Sequence, residues 1–141
     1  MNWLIFAVLS ATSFGFYNFF TKLSADKFSP TIALLIMTGI SFFVALISTV
    51  VFRISGQELI FSKNVIWLPI MAGLFAGIAE IFYLFMYTKD APLNIGTPLV
   101  VGLTIVVAVL LGLIILKESL DINKVIGICL TIIGLLFLMK S

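Results

Sequence analysis

Histidine is absent from this 141-residue chain, and cysteine occurs once, at Cys129. The first absence excludes His-based metal sites and His-based acid–base catalysis. The second excludes an intrachain disulfide, and Cys129 sits in an apolar run where a small buried filler is its expected role. Charge is also scarce, at 10% of residues against about 25% in an ordinary soluble domain. There is no Gly-rich phosphate loop and no basic patch for nucleic acid. A net charge of +2 is too small to imply an acidic partner. With no nucleophile–base set either, an enzyme is not expected, and neither a cofactor nor a metal is implied.

What fills the chain is apolar: 62% of residues are hydrophobic and the mean hydropathy is +1.31. The charges punctuate long runs. Residues 1–21 carry none, 28–52 lie uncharged between Lys27 and Arg53, and 91–116 between Asp90 and Lys117. Residues 64–88 contain Glu80 alone. Each run meets the requirement of about 20 residues for crossing roughly 30 Å of hydrocarbon. A fifth run, 125–139, is short; Ile122 extends it, and Lys124 and Lys140 can snorkel from its ends. No Lys or Arg precedes the first run and no A-x-A site follows it, so a cleavable leader is not expected. The reading is an all-α integral membrane protein, a five-transmembrane-helix bundle in the lipid bilayer of the cell membrane.

Helix ends follow from local chemistry. Ser29-Pro30 offers an N-cap with proline at the first helical position, and Asp90-Ala91-Pro92 is a similar start. Asn64 is expected to cap the third helix and Asp121 the fifth. The spans fall near 3–21, 30–52, 65–88, 92–116 and 122–139, joined by short connections that make successive helices antiparallel neighbours. Trp3 and Trp67 then fall at one interface, while Tyr83 and Tyr87 approach the other. The N-terminal side carries Arg53, Lys63, Lys117 and Lys124, and the opposite side Lys22, Lys27, Lys89 and Lys140. This even division gives insertion no direction. It leaves two readings: a chance balance, or dual topology with an antiparallel homodimer. Small residues recur every fourth position: Ala7, Ala11 and Gly15; Gly73 and Gly77; Thr104, Ala108 and Gly112; Gly127 and Thr131. Such faces let helix backbones approach, within one chain or between two.

The stretch APLNIGTPLVVGLTIVVAVLLGLIILKESLDINKVIGICLTIIGLLFLMK resembles the closing two helices of an EamA-type domain of the drug/metabolite transporter superfamily. Pro98 in the fourth helix, Lys117-Glu118 closing it, and Gly127 and Gly134 in the fifth carry the likeness. The opening NWLIFAVLSATSFGFYNFFTKLS is similar to that domain's first helix, with Ser10, Gly15 and Lys22 in the expected places. Most relatives fuse two such domains, inverted relative to each other, into ten helices. A lone five-helix copy implies an antiparallel homodimer, or a heterodimer with a second five-helix protein.

Glu80 is the residue that composition leaves unexplained. Counted from Thr88 at about 1.5 Å per residue, it lies roughly 12 Å below the surface, some 3 Å from the midplane. Ser13 to Gly15, Thr38 and Thr97-Pro98 fall at the same depth on three other spans. Pro98 cannot donate to the Asn94 carbonyl, which frees an acceptor there. Two such acids in an antiparallel dimer would lie about 6 Å apart in depth, where transporter sites built from repeats occur. An intramembrane acid is expensive and usually faces a cavity, where it can exchange a proton for a cationic substrate. Bland roles compete: a structural clamp with Lys22, and hydroxyls of Ser13, Thr38 and Thr97 that bond their own helices. Lys117 and Glu118 read as interfacial end residues. Together with the resemblance this implies a secondary transporter, exporting a small metabolite or organic cation by alternating access and coupled to protons through Glu80. The competing reading is a non-transporting membrane subunit, or half of a heterodimeric transporter or lipid-linked sugar flippase.

Overall fold

The computed structural model describes residues 3–25, 27–119 and 121–138. Five helices follow one another: α1 Trp3–Ala25, α2 Pro30–Ile54, α3 Trp67–Tyr87, α4 Leu93–Ile114 and α5 Ile122–Leu138. No strand occurs among the described residues. The first four are long and apolar enough to cross a membrane, α3 being counted with the single 3₁₀ turn Lys63–Val65 that precedes it. α5, at 17 residues, spans about 25 Å and is shorter. Met139 and Lys140, where the fifth span is expected to end, lie outside the described residues, as does the Lys124 side chain.

The helix ends differ in places from the local signals. α1 continues past residue 21 because Thr21 and Ala25 are buried and nothing in that turn breaks the helix. Ser29 is the N-cap of α2 with Pro30 behind it, yet its hydroxyl makes no cap bond; the Ser29 carbonyl accepts from the Ala33 N–H at 3.0 Å instead. Asn64 does not cap α3, because it lies inside the 3₁₀ turn, and Ile66 holds the cap position. Asp90 does not start α4 either. Its φ of 61° places it in the left-handed region, where it closes the turn after α3, and Pro92 is the N-cap of α4. Asp121 does sit at the start of α5, accepting from the Ile122 N–H at 2.8 Å. α4 stops at Ile114, short of the expected residue 116. Lys117, at φ 53°, reverses the chain so that the Glu118 N–H reaches the Gly112 carbonyl at 3.1 Å.

The helices form two compact units, α1–α3 and α4–α5, divided at Asp90–Ala91. In the first, α3 packs on both α1 and α2; in the second, α4 packs on α5. Among the described residues, Ala25, Ala33, Leu84 and Tyr87 are the buried hydrophobic ones, and exposed aromatic and branched aliphatic side chains occur on every helix. Such a surface suits a lipid environment, in which apolar side chains need no protein cover.

Two glycines of α4 have neighbours close enough to meet an added Cβ. A Cβ added to Gly102 would run into the Leu135 side chain, and one added to Gly112 would lie 3.2 Å from a Glu118 carboxylate oxygen. At Gly15, Gly73, Gly77, Gly127 and Gly134 an added Cβ would meet nothing within 4 Å, and Ala108 is exposed. Within the first unit, the small-residue faces at Gly15 and at Gly73 and Gly77 are thus open. Gly102→Ala is expected to destabilise the α4–α5 contact by about 1–3 kcal/mol through overpacking, and Leu135→Ala in the same chain to relieve it. Gly73→Ala should be neutral. Thermal unfolding of the purified variants checks all three.

Candidate functional site

α1 and α3 each carry a polar stripe at helical spacing. On α1 it comprises Tyr17, Asn18, Thr21 and Lys22; on α3 it comprises Glu80, Tyr83 and Tyr87. Residues three or four apart share a helix face, so each stripe is continuous for two turns. The pairings rise together along both helices: Tyr17 with Glu80, Asn18 with Tyr83, Lys22 with Tyr87. The two helices therefore run parallel and in register at this seam.

At its start the Tyr17 hydroxyl donates to Oε2 of Glu80, which is half-buried. Tyr17 is held from two sides. Its ring meets Phe14 edge-on at 6.2 Å, and its carbonyl accepts from the hydroxyl of buried Thr21 at 2.8 Å. One turn on, the Tyr83 hydroxyl donates to Oδ1 of Asn18 at 3.0 Å and lies 2.9 Å from the Tyr87 hydroxyl. The two tyrosine rings stand edge to face with centroids 4.9 Å apart. At the end of the seam Nζ of Lys22 sits 5.5 Å from the Tyr87 ring centre and donates to the Tyr87 carbonyl at 3.4 Å. Thr21, Ala25, Leu84 and Tyr87 are buried around it. The seam is closed between Glu80 and the C-terminal ends of both helices.

Glu80 thus has a phenol for a partner and not the Lys22 ammonium, which Tyr87 engages. Ser13 and Thr38, expected at the depth of Glu80, do not share its hydrogen bonds. Ser13 donates to the Leu9 carbonyl at 2.9 Å and Thr38 to the Leu34 carbonyl at 2.8 Å, and both are exposed. A short side chain on a helix reaches its own preceding turn more readily than a neighbouring helix; a tyrosine is long enough to cross. Asn94, Thr97 and Pro98 lie in the second unit. Asn94 is exposed, Thr97 and Pro98 are half-buried, and α4 runs unbroken through the proline. Glu118 is more than a helix-end charge. With Ser119, Gly127, Thr131 and apolar neighbours it lines a cavity of about 420 Å³ between α4 and α5.

Nothing in the sequence alone assigns Tyr17, Asn18 and Tyr83 as partners of the acid. The signal for them is the recurrence of Tyr17, Asn18, Thr21 and Lys22 on one face of an otherwise apolar helix. Chemically, the seam offers one acid, three phenols, an amide, the Thr21 hydroxyl and, at its end, the Lys22 ammonium. That set can hold a proton or a cation beside Glu80 and orient it. Among the described residues no group of His, Cys, Asp and Glu is placed to hold a metal ion.

The family model described as the EamA-like transporter family matches residues 1–140. No curated protein and no solved structure matches the chain.

Tyr17→Phe removes the donor while keeping the ring. It is expected to destabilise the protein by about 1–3 kcal/mol, the range for a polar group left unsatisfied. A double-mutant cycle with Glu80→Gln should return a coupling of at least about 0.5 kcal/mol in thermal unfolding. The cycle between Tyr17→Phe and Thr38→Val should return none.

Proposed function

The chain belongs to the EamA-like transporter family, and on that premise we propose a secondary transporter that exports a small metabolite or organic cation across the cell membrane. The observation that carries this reading is the partner of Glu80. A carboxylate among apolar spans must be neutralised, and Tyr17 orients it without supplying any positive charge. A proton and a cationic substrate are then the two species able to neutralise it in turn. Loading of the cation releases the proton on one side; unloading on the other takes a proton up. The exchange needs no ligand other than the substrate and the proton, and no cofactor.

Alternating access supplies the two sides. The closed seam around Thr21, Leu84 and Tyr87 supports a barrier between Glu80 and one face, and rocking of helices would transfer that barrier to the other. Asn94 and Thr97 on α4 are candidates for further substrate contacts, since Pro98 leaves the Asn94 carbonyl without its helical donor. For the assembly we favour an antiparallel homodimer with dual topology. Two observations support it: Lys and Arg divide evenly between the two sides, and space is open beside Gly15, Gly73 and Gly77 in the first unit and Gly134 in the second.

Two measurements test this. In proteoliposomes screened with candidate metabolites, a pH gradient should drive uptake by the native protein. Glu80→Gln should insert and dimerise normally yet lose gradient-driven uptake altogether; unchanged pH-dependent uptake by that variant would sink the proton-coupled mechanism. For topology, C-terminal fusions to reporters active on opposite membrane faces should both give signal. Signal from one reporter alone points to a heterodimer with a second five-helix protein.

A further inference from the structure

The connection between α2 and α3 is apolar where a turn in water would be polar. The chain leaves one candidate span at Ile54 and enters the next at Lys63. Between them Leu59, Ile60 and Phe61 are 49%, 94% and 70% exposed. These three consecutive exposed hydrophobic side chains stand between two candidate spans, and exposed Trp67 opens α3 beyond them; aromatic and apolar groups at the ends of spans meet lipid at the membrane interface.

The start of this loop is built. Gly56, at φ 76°, turns the chain; its N–H donates to the Arg53 carbonyl at 3.2 Å, and the Gln57 N–H donates to the Phe52 carbonyl at 3.1 Å. Only a residue tolerant of the left-handed region makes that turn without strain. The turn folds Gln57 back over the last turn of α2, so that Arg53, Gln57 and Leu59 line one open pocket of about 300 Å³. Arg53 stands at the C-terminal end of α2, where the helix carbonyls favour a cation. Among the described residues it has no acidic partner. Lys63 closes the other end of the loop, and against these two cations stands only Glu58.

We propose that residues 53–63 bind an anionic phospholipid. The guanidinium of Arg53 presents a planar fork that matches a phosphate with two hydrogen bonds, and the Gln57 amide adds a third donor. Leu59, Ile60 and Phe61 lie among the first acyl carbons below that phosphate, with Lys63 attracted to the same anionic surface. A soluble phosphate ester would use the pocket but leave the apolar triplet in water. A lipid uses both, which is why the lipid is the ligand. The loop thereby anchors the α2–α3 connection to one leaflet, independently of transport at Glu80.

The test uses the full chain with Cys129, which is exposed, replaced by alanine. A nitroxide is attached at Ile60→Cys in vesicles of phosphatidylglycerol and phosphatidylcholine. Collisions with oxygen should exceed those with a water-soluble nickel chelate, the mark of a side chain in lipid. In detergent, short-chain phosphatidylglycerol should raise the melting temperature more than short-chain phosphatidylcholine does. Arg53→Gln should raise the phosphatidylglycerol concentration needed for half of that shift about fivefold, the loss of one basic contact near an anionic surface. If that variant does not insert, Arg53→Lys, which keeps the charge but not the fork, should show a smaller loss in the same assay. Three results overturn the proposal: nickel access at position 60 in both lipids, equal stabilisation by the two lipids, or equal stabilisation by glycerol phosphate alone. Exclusion of both collision reagents, with broadening between labels, would assign the loop to a second copy of the chain and overturn it as well.

Discussion

Hydrocarbon offers no hydrogen bond, and every feature of this chain answers to that constraint. Backbone donors and acceptors must be satisfied within each crossing segment, so the described chain is helix wherever it is long and apolar. The same rule governs small polar side chains. Thr12, Ser13, Thr38, Ser48, Thr49, Thr104 and Thr131 each donate to the carbonyl four residues back. Their hydroxyls are thereby hidden in their own helices. Bulky apolar groups point outward because lipid is as good a solvent for them as protein.

Against that background the α1–α3 seam stands out, because there polar groups cross between helices. Tyrosine has the reach to do so, and the parallel register of the two helices lets successive turns repeat the contact. The consequence is a graded environment. Glu80 is half-buried with a single phenol; Tyr87, two turns on, is buried with an ammonium over its ring. An acid held in orientation but left without a counter-charge is suited to trading one cation for another. An acid locked to a lysine would be suited only to holding helices together. The position of Lys22 on Tyr87 therefore bears directly on how Glu80 is read.

Much of this was legible beforehand. Scarcity of charge and the run lengths specify a membrane-embedded, all-helical chain, and the matched family is one of transporters. Glu80 declares itself by where it lies, since no other acid interrupts a span. The ends of the helices were less legible. Asp90 and Lys117 both take left-handed backbone conformations; aspartate tolerates that region and is only weakly marked for it, and lysine is not marked at all, whereas glycine would have announced the turn. Asn64 has a capping side chain but sits within a 3₁₀ turn, where that side chain has no helix end to satisfy.

What the sequence by itself determined is set by quantities that add along the chain: apolar length, charge spacing, the cost of an acid at a given depth. Those need no knowledge of neighbours. What only the tertiary structure decided is pairwise. Helical spacing names the face on which Glu80 lies but not the helix opposite or its register, so it cannot choose Tyr17 over Ser13 or Thr38 at the same depth. Small-residue spacing likewise marks faces that permit close approach, yet the approach occurs at Gly102, where Leu135 happens to stand. A partner across a seam depends on two helices at once, and one helix's periodicity carries information about only its own side.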